Sequence, residues 1–264
     1  MWRTAGTPTP SRRAVAALGV LLLLTLVSDA LGAQSIARQV SAVVNGQVRF
    51  SFAAREGVCG DGDRISTRRR TEDWEGRCED GPVRVALGVE QGTVTDVDTY
   101  VGGRWLQRAG TVVDLGMVAT TEAADYLLTV AERTDSRVGE KAVFPATLAD
   151  SVEVWPRLLR IAKDEGRSRA VRKSAVFWLG TVAADVAVRD LEQLARDDDT
   201  DHEVRVAALF GLSQLDEHQG VPALLDIART SRDRDLRKQA IFWLGQTGDP
   251  RALAFFEEIL TARR

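Results

Sequence analysis

Histidine and cysteine each occur only twice in 264 residues, and tyrosine and methionine are equally scarce. His202 and His218 leave little material for imidazole catalysis, and two cysteines cannot form a thiolate cluster around a metal. The chain contains no HExxH pair, no GxxxxGK[ST] phosphate loop and no GxGxxG turn, the motifs that would carry zinc, nucleotide or dinucleotide chemistry. A basic excess is missing as well. Lys and Arg number 35 against 38 Asp and Glu, a formal net charge of −3, which excludes the clustered positive surface a nucleic-acid partner requires. The longest apolar run, Ala14 to Val27, has 14 residues, short of the roughly 20 that span a bilayer. Asp197, Asp199 and Asp201 have the alternate spacing of a calcium loop. However, His202 stands where that loop needs Gly, and Ala208 where it needs its closing Glu. The run therefore reads as a polar turn carrying helix-start acids. No catalytic, cofactor-binding or metal-binding residue is assigned, and the reading is of a protein that is not an enzyme.

Residues 1–33 read as an export signal. Arg3, Arg12 and Arg13 precede the apolar run, which breaks at Ser28 and Asp29 and reaches the small residues Ala30, Gly32 and Ala33. Cleavage is expected after Ala33 or after Ala30, with retention as an anchor the alternative. Removing 1–33 takes away three Arg and one Asp, leaving a net charge of −5. The mature chain is then periplasmic or secreted, without membrane insertion.

Export bears on Cys59 and Cys78, the only pair. An oxidising compartment favours joining them, closing a loop of about 20 residues worth perhaps 3 kcal/mol in the chain-entropy model. Within that loop Arg68, Arg69 and Arg70 are balanced by acids and read as solvated. From Gln47 to about Gln107 the apolar pattern has period two: Val48, Phe50 and Phe52 alternate with Arg49 and Ser51, and Val83, Val85 and Leu87 with Arg84 and Ala86. Val94, Val97 and Tyr100 lie in the next run, after a turn at Glu90-Gln91-Gly92. This predicts a small antiparallel β-rich unit. A helix is expected to start at Thr120, Thr121 and Glu122, with Tyr126, Leu127 and Val130 on its apolar side.

Beyond residue 138 the period changes and the chain repeats itself. Val171-Arg172-Lys173-Ser174-Ala175-Val176-Phe177-Trp178-Leu179-Gly180 recurs from Val204 to Ser213 and again from Leu236 to Gly245. Val138, Ala142, Val143 and Phe144 fall on the same template, cut short by Pro145. Each copy is followed by a second apolar helix pattern: Trp155, Leu158 and Ile161; Val188, Leu191 and Leu194; Val221, Leu224 and Ile227; Leu253, Phe256 and Ile259. A period of 32–33 residues accommodates two helices of about 12 residues and two turns. Ala175, Ala208 and Ala240 are expected where paired helices approach closely. Gly180 and Gly245 are expected to end helices in the left-handed conformation, and Thr200 with Glu203 to form a capping box. Pro156, Pro222 and Pro250 sit near second-helix starts, where a missing N–H costs nothing.

This pattern resembles the HEAT-repeat family, in particular its short bacterial, phycobilin-lyase-type form. Val171-Arg172, Ala175 and Leu179-Gly180, and then Leu236-Arg237, Ala240, Leu244-Gly245 and Asp249-Pro250, carry the resemblance over about residues 138–264. The fold class expected is α+β: a β-rich unit (34–117) followed by an α-helical HEAT-type solenoid (118–264). Because each repeat contacts mainly its neighbours, the solenoid is expected to fold without the β unit. The resemblance implies a scaffold or adaptor that binds a protein or peptide. A chromophore-attaching lyase, or an accessory or sensory subunit of an envelope complex, is the alternative.

Three features bear on a partner. Trp178 and Trp243 are expected to face the hairpin interior. The outward second-helix positions run from basic (Arg157, Arg160, Lys163) through mixed (Asp190, Gln193) to acidic (Asp226, Glu257, Glu258). Phe177, Phe210 and Phe242 share one template position that lies off the apolar stripe. They either pack sideways against the next hairpin or form an exposed ridge at which a partner binds. Phe255 would extend such a ridge or cover the last hairpin.

Overall fold

The period-two segment becomes a four-stranded sheet in the computed structural model, which describes residues 35–67, 78–105, 110–182, 188–215 and 218–261. The export signal at 1–33 and the arginines at 68–70 lie outside the described residues. Among those described are seven strands and ten helices. The large sheet has the order β6-β5-β1-β7, built from β1 (Asn45–Phe52), β5 (Val83–Glu90), β6 (Thr93–Tyr100) and β7 (Thr111–Met117). β2 (Cys59–Asp61), β3 (Arg64–Ser66) and β4 (Glu79–Asp80) form a second, small sheet.

β1 and β5 pair antiparallel in the register Val48–Leu87, Phe50–Val85 and Phe52–Val83, so all six apolar side chains share one fully buried face. Gln91 (φ 49°) and Gly92 (φ 73°) close the β5–β6 hairpin. Two left-handed residues are what a two-residue turn matching the strand twist needs. One pairing is parallel: β7 lies alongside β1. The chain reaches it by crossing from one edge of the sheet to the other, and that crossing carries Trp105, whose ring stacks on the guanidinium groups of Arg49 and Arg84 at 4.8 and 5.0 Å. Cys59 and Cys78 are joined in a disulfide with 5.2 Å between Cα atoms. In unreduced, folded protein neither cysteine is expected to label with a maleimide. Labelling without denaturant or reductant would contradict the bridge.

The helices stack in two layers. α1 (Ile36–Ala42) belongs to the β unit, and α2 (Thr120–Arg133) follows β7. The first-helix copies are α3 (Arg137–Thr147), α5 (Arg169–Val182), α7 (His202–Gln214) and α9 (Arg234–Thr247), each packed on the next. The second helices are α4 (Trp155–Lys163), α6 (Val188–Arg196), α8 (Val221–Thr230) and α10 (Pro250–Thr261). Ala175, Ala208 and Ala240 are fully buried between them. The repeated Val-Arg arginine fixes each second helix to the first helix that follows it. Arg172 and Arg205 are buried and donate from Nε to the carbonyls of Ala162 and Ala195, at 3.0 and 3.2 Å. These carbonyls lie at the C-terminal ends of α4 and α6, where a helix leaves acceptors unpaired. Arg172 also reaches Asp201 of the next turn at 2.6 Å, tying neighbouring repeats together.

Several local expectations are corrected. Gly180 and Gly245 lie inside α5 and α9 rather than ending them; the left-handed terminator of α9 is Gly248 (φ 66°). Gly180 is there because α5 crosses α7 against Gly211, where an added Cβ would lie 2.5 Å from the Gly211 Cα. Thr200 and Glu203 form no capping box. Asp201 occupies the N-cap, the Thr200 hydroxyl bonds Asp197 at 2.8 Å, and Glu203 turns to Lys173. Asp197 organises the polar turn by also accepting from the Asp199 N–H at 3.1 Å.

The β unit is not separate from the stack. One continuous core joins Val48, Phe50 and Leu87 of the sheet to Leu127, Leu128, Val143 and Leu148 of the helical region. The backbone joins them too: the Arg55 N–H donates to the Leu148 carbonyl at 2.8 Å, and the Asp150 N–H to the Ala53 carbonyl at 3.0 Å. Buried positions of α3 (Gly139, Ala142, Val143, Pro145, Ala146, Thr147) wrap over half its circumference at 100° per residue, because it packs on the sheet as well as on α2 and α5. The packing therefore runs against the expectation that the solenoid is indifferent to the β unit.

Candidate functional site

Helical periodicity places the repeated Phe position on the outward side of α3, α5, α7 and α9, and the stacking of these helices lines the rings up. Phe144 stacks on Trp178, with centroids 4.5 Å apart and planes at 27°. Trp178 meets Phe177 edge-on at 4.8 Å. Phe177 lies parallel to Phe210 at 4.9 Å, 9° between planes. Phe210 meets Trp243 at 4.9 Å, and Trp243 meets Phe242 at 4.8 Å. The result is a ladder of six rings crossing four consecutive first helices.

The two readings of the Phe position both describe part of what is found. Each of Phe144, Phe177 and Phe210 packs against a ring of the next first helix, which cements the stack. Yet Phe177 remains 40% exposed and Phe242 54%, so the ladder is also an apolar ridge. Phe255 does not extend it; the ring is buried and covers the last hairpin. Trp178 and Trp243 differ from expectation. They are half-buried members of the ladder rather than interior residues. Their template position is filled by Gly211 in α7, whose neighbours would have no room for a ring there.

Beside the ladder runs a groove of about 610 Å³ whose floor is Ala170, Ser174, Val206 and Ala207, with Phe177, Phe210 and Trp243 along one wall. Small side chains over two repeats create the trough, and the rings give it an apolar side. Its polar rim is Glu140, Lys173, His202, Glu203 and Gln239. The Lys173 ammonium donates to Glu203 Oε2 at 2.8 Å and Arg169 to Oε1 at 3.1 Å. The hydrogen bond from Lys173 first, then its charge, hold the Glu203 carboxyl below the usual carboxylate range. His202 Nδ1 lies 3.3 Å from Asp233, half-exposed at the start of α7. That geometry gives His202 an ion-pairing position on the rim.

The charge gradient of the second helices is absorbed in rungs between repeats. Lys163 bonds Asp190 at 2.8 Å, Arg196 bonds Asp226, and Arg229 bonds Glu258 at 2.7 Å. Arg157 grips Glu132 through Nε at 3.0 Å and Nη2 at 2.6 Å, and this hydrogen bonding raises its pKa further. Each exposed rung contributes at most about 1 kcal/mol. A larger hollow of about 790 Å³ on this layer is lined by Leu159, Arg160, Lys163 and Asp164, and lacks the ring wall of the first-helix groove. No group of three or more His, Cys, Asp or Glu among the described residues is placed to hold a metal ion.

Sequence reasoning found Phe177, Phe210 and Phe242 but not the parts played by Phe144, Trp178 and Trp243. The alignment of Phe144 on the repeat template was the available signal. Residues 191–264 match the family model for HEAT repeats. No curated protein matches the chain.

Proposed function

We propose that this chain, whose residues 191–264 match the family model for HEAT repeats, is an exported, non-enzymatic scaffold that binds a protein or peptide along the outer face of its first helices. The observation that carries the reading is the ring ladder. Phe177 and Phe242 stay substantially exposed in a row of six aromatic side chains beside an apolar trough. Contiguous apolar surface of this kind on a water-soluble chain marks interaction sites, and aromatic side chains are the usual anchors of binding energy. Stacked hairpins present such a surface in extended form. The disulfide fits an oxidising compartment.

Two measurements on the same variants test this. Phe242→Ala is expected to change stability by about 0.5 kcal/mol or less, whereas Phe210→Ala, flanked by two rings, is expected to cost about 2 kcal/mol. A partner captured by crosslinking in the native compartment is then titrated against purified protein. Phe242→Ala should weaken binding about tenfold, the loss of one anchor ring. Unchanged affinity would overturn the reading, as would a chromophore bound covalently or tightly in the purified chain.

A further inference from the structure

We infer that the side of α9 facing away from α7 docks a helix of a partner protein, one with an acidic first turn and a small residue about ten positions further along, in the way that α7 docks on α5. The surface is distinct from the ring groove. At about 100° per residue, Arg234, Arg237, Lys238, Ile241 and Gly245 share about 100° of the α9 surface, whereas Gln239 and Trp243 of the groove lie on the opposite side.

Each first helix carries a stripe at every fourth residue: Arg172, Val176 and Gly180 in α5, and Arg205 and Leu209 in α7, all buried where the next first helix packs. Two features of the covering helix match that stripe. Its backbone comes close at a small residue, since a Cβ added to Gly180 would lie 2.5 Å from the Gly211 Cα. Its first turn supplies carboxylates. Asp201 takes Arg172 at 2.6 Å, and Glu203 takes Lys173 at 2.8 Å and Arg169 at 3.1 Å. One repeat on, Asp233 lies 3.7 Å from Arg205. α9 carries the same pattern in Arg237, Ile241 and Gly245, with Arg234 and Lys238 at the places of Arg169 and Lys173. Here, however, the stripe is uncovered. Arg237 and Ile241 are half-buried and Gly245 is exposed; a Cβ added to Gly245 would meet only the Phe256 ring, at 3.9 Å.

The cations of α9 also lack the carboxylates that their counterparts hold in the interior of the stack. The Arg234 side chain has no ion-pair or hydrogen-bond partner among the described residues. Arg237 donates to the backbone carbonyls of Ser231 and Arg232. Lys238 pairs with Asp235 of its own helix at 3.1 Å. A helix with carboxylates in its first turn complements this excess of positive charge, and its own dipole favours acids there. Charge of this kind sets partner choice and orientation. Ile241 supplies apolar contact, and Gly245 lets the incoming helix approach as closely as α7 approaches Gly180.

The test uses the purified protein and two peptides stapled into helices, one copying residues 200–215 and the other carrying Asp201→Asn and Glu203→Gln. Binding is followed by fluorescence anisotropy of the labelled peptides at low and high salt, with melting curves and sedimentation for every variant. The acidic peptide is expected to bind about tenfold more tightly than its amide form, with the preference shrinking at high salt. Arg234→Gln combined with Lys238→Gln should remove that preference and leave the melting temperature unchanged. Gly245→Ala should weaken both peptides about tenfold without lowering the melting temperature. Phe177→Ala, on the ring groove, should leave both affinities unmoved. Equal binding of the two peptides, or no binding at all, overturns the inference. So does weakening by Phe177→Ala but not by Gly245→Ala, which would put the peptide in the groove and leave the scaffold reading standing. Self-association of the protein that Gly245→Ala abolishes would give this side of α9 to a second copy, and overturns the inference too.

Discussion

Removing the β unit is expected to abolish the cooperative thermal transition of the helical region. Repeat stacks tolerate truncation only where the newly exposed repeat has a polar outer face. Here the face uncovered would be that of α2 and α3. Leu127, Leu128, Val143 and Leu148 belong to a core that continues into Phe50, Phe52 and Leu87, and each large apolar side chain returned to water costs about 1.5–3 kcal/mol. A handful of such losses equals the whole stability of a typical domain, about 5–15 kcal/mol. The fragment 118–264 should retain helical circular dichroism in part, lose near-ultraviolet signal and aggregate on concentration. A sharp transition within a few degrees of that of the longer chain would show that the β unit is only attached to the stack, not its cap.

A second large effect is expected from two substitutions at one template position. Gly180 and Gly245 occupy equivalent places in their repeats, so sequence alone assigns them the same fate. In Gly180→Ala the new methyl carbon would lie 2.5 Å from the Gly211 Cα and 2.8 Å from its carbonyl oxygen. Both obstacles are backbone, so α5 and α7 must separate. Alanine gains about 1 kcal/mol of helix propensity over glycine, but overpacking of this kind costs about 3 kcal/mol or more. The net loss should lower the melting temperature by about 4–8 °C for a chain of this size. Gly245→Ala meets nothing nearer than the Phe256 ring at 3.9 Å and should raise stability by up to about 1 kcal/mol. Equal shifts at the two positions would mean that the close α5–α7 crossing is not formed.

That pair also shows what the sequence could reveal and what it could not. Repeat length, helix order, the buried alanines and the prolines at second-helix starts follow from local pattern, and the structure bears them out. The sheet core was legible for the same reason, since Phe50 alternates with the polar Arg49 and Ser51. The role of Gly180 was not legible, because it depends on Gly211 in another repeat and on the angle between two helices. The Trp178 and Trp243 rings were misplaced for a related reason. Periodicity gives the side of a helix but not whether the neighbouring helix covers it. Thr200 and Glu203 matched a capping box in spacing, yet Lys173 and Arg169 of the preceding repeat draw Glu203 away. The union of sheet and stack into one core rests on long-range packing around α3, which no local signal reports.

If the ring ladder is a partner surface, two exposed apolar side chains, one within it and one outside, should respond differently to truncation. Phe242 is 54% exposed within the ladder, and Leu260 is 68% exposed on α10 outside it. Each is changed to alanine, and melting temperature and partner affinity are measured on the same samples. Melting should be unchanged for both, affinity should fall about tenfold in Phe242→Ala, and affinity should be unmoved in Leu260→Ala. Equal affinities for the two variants, or a stability loss at Phe242 of about 3 kcal/mol as for a buried ring, would contradict it.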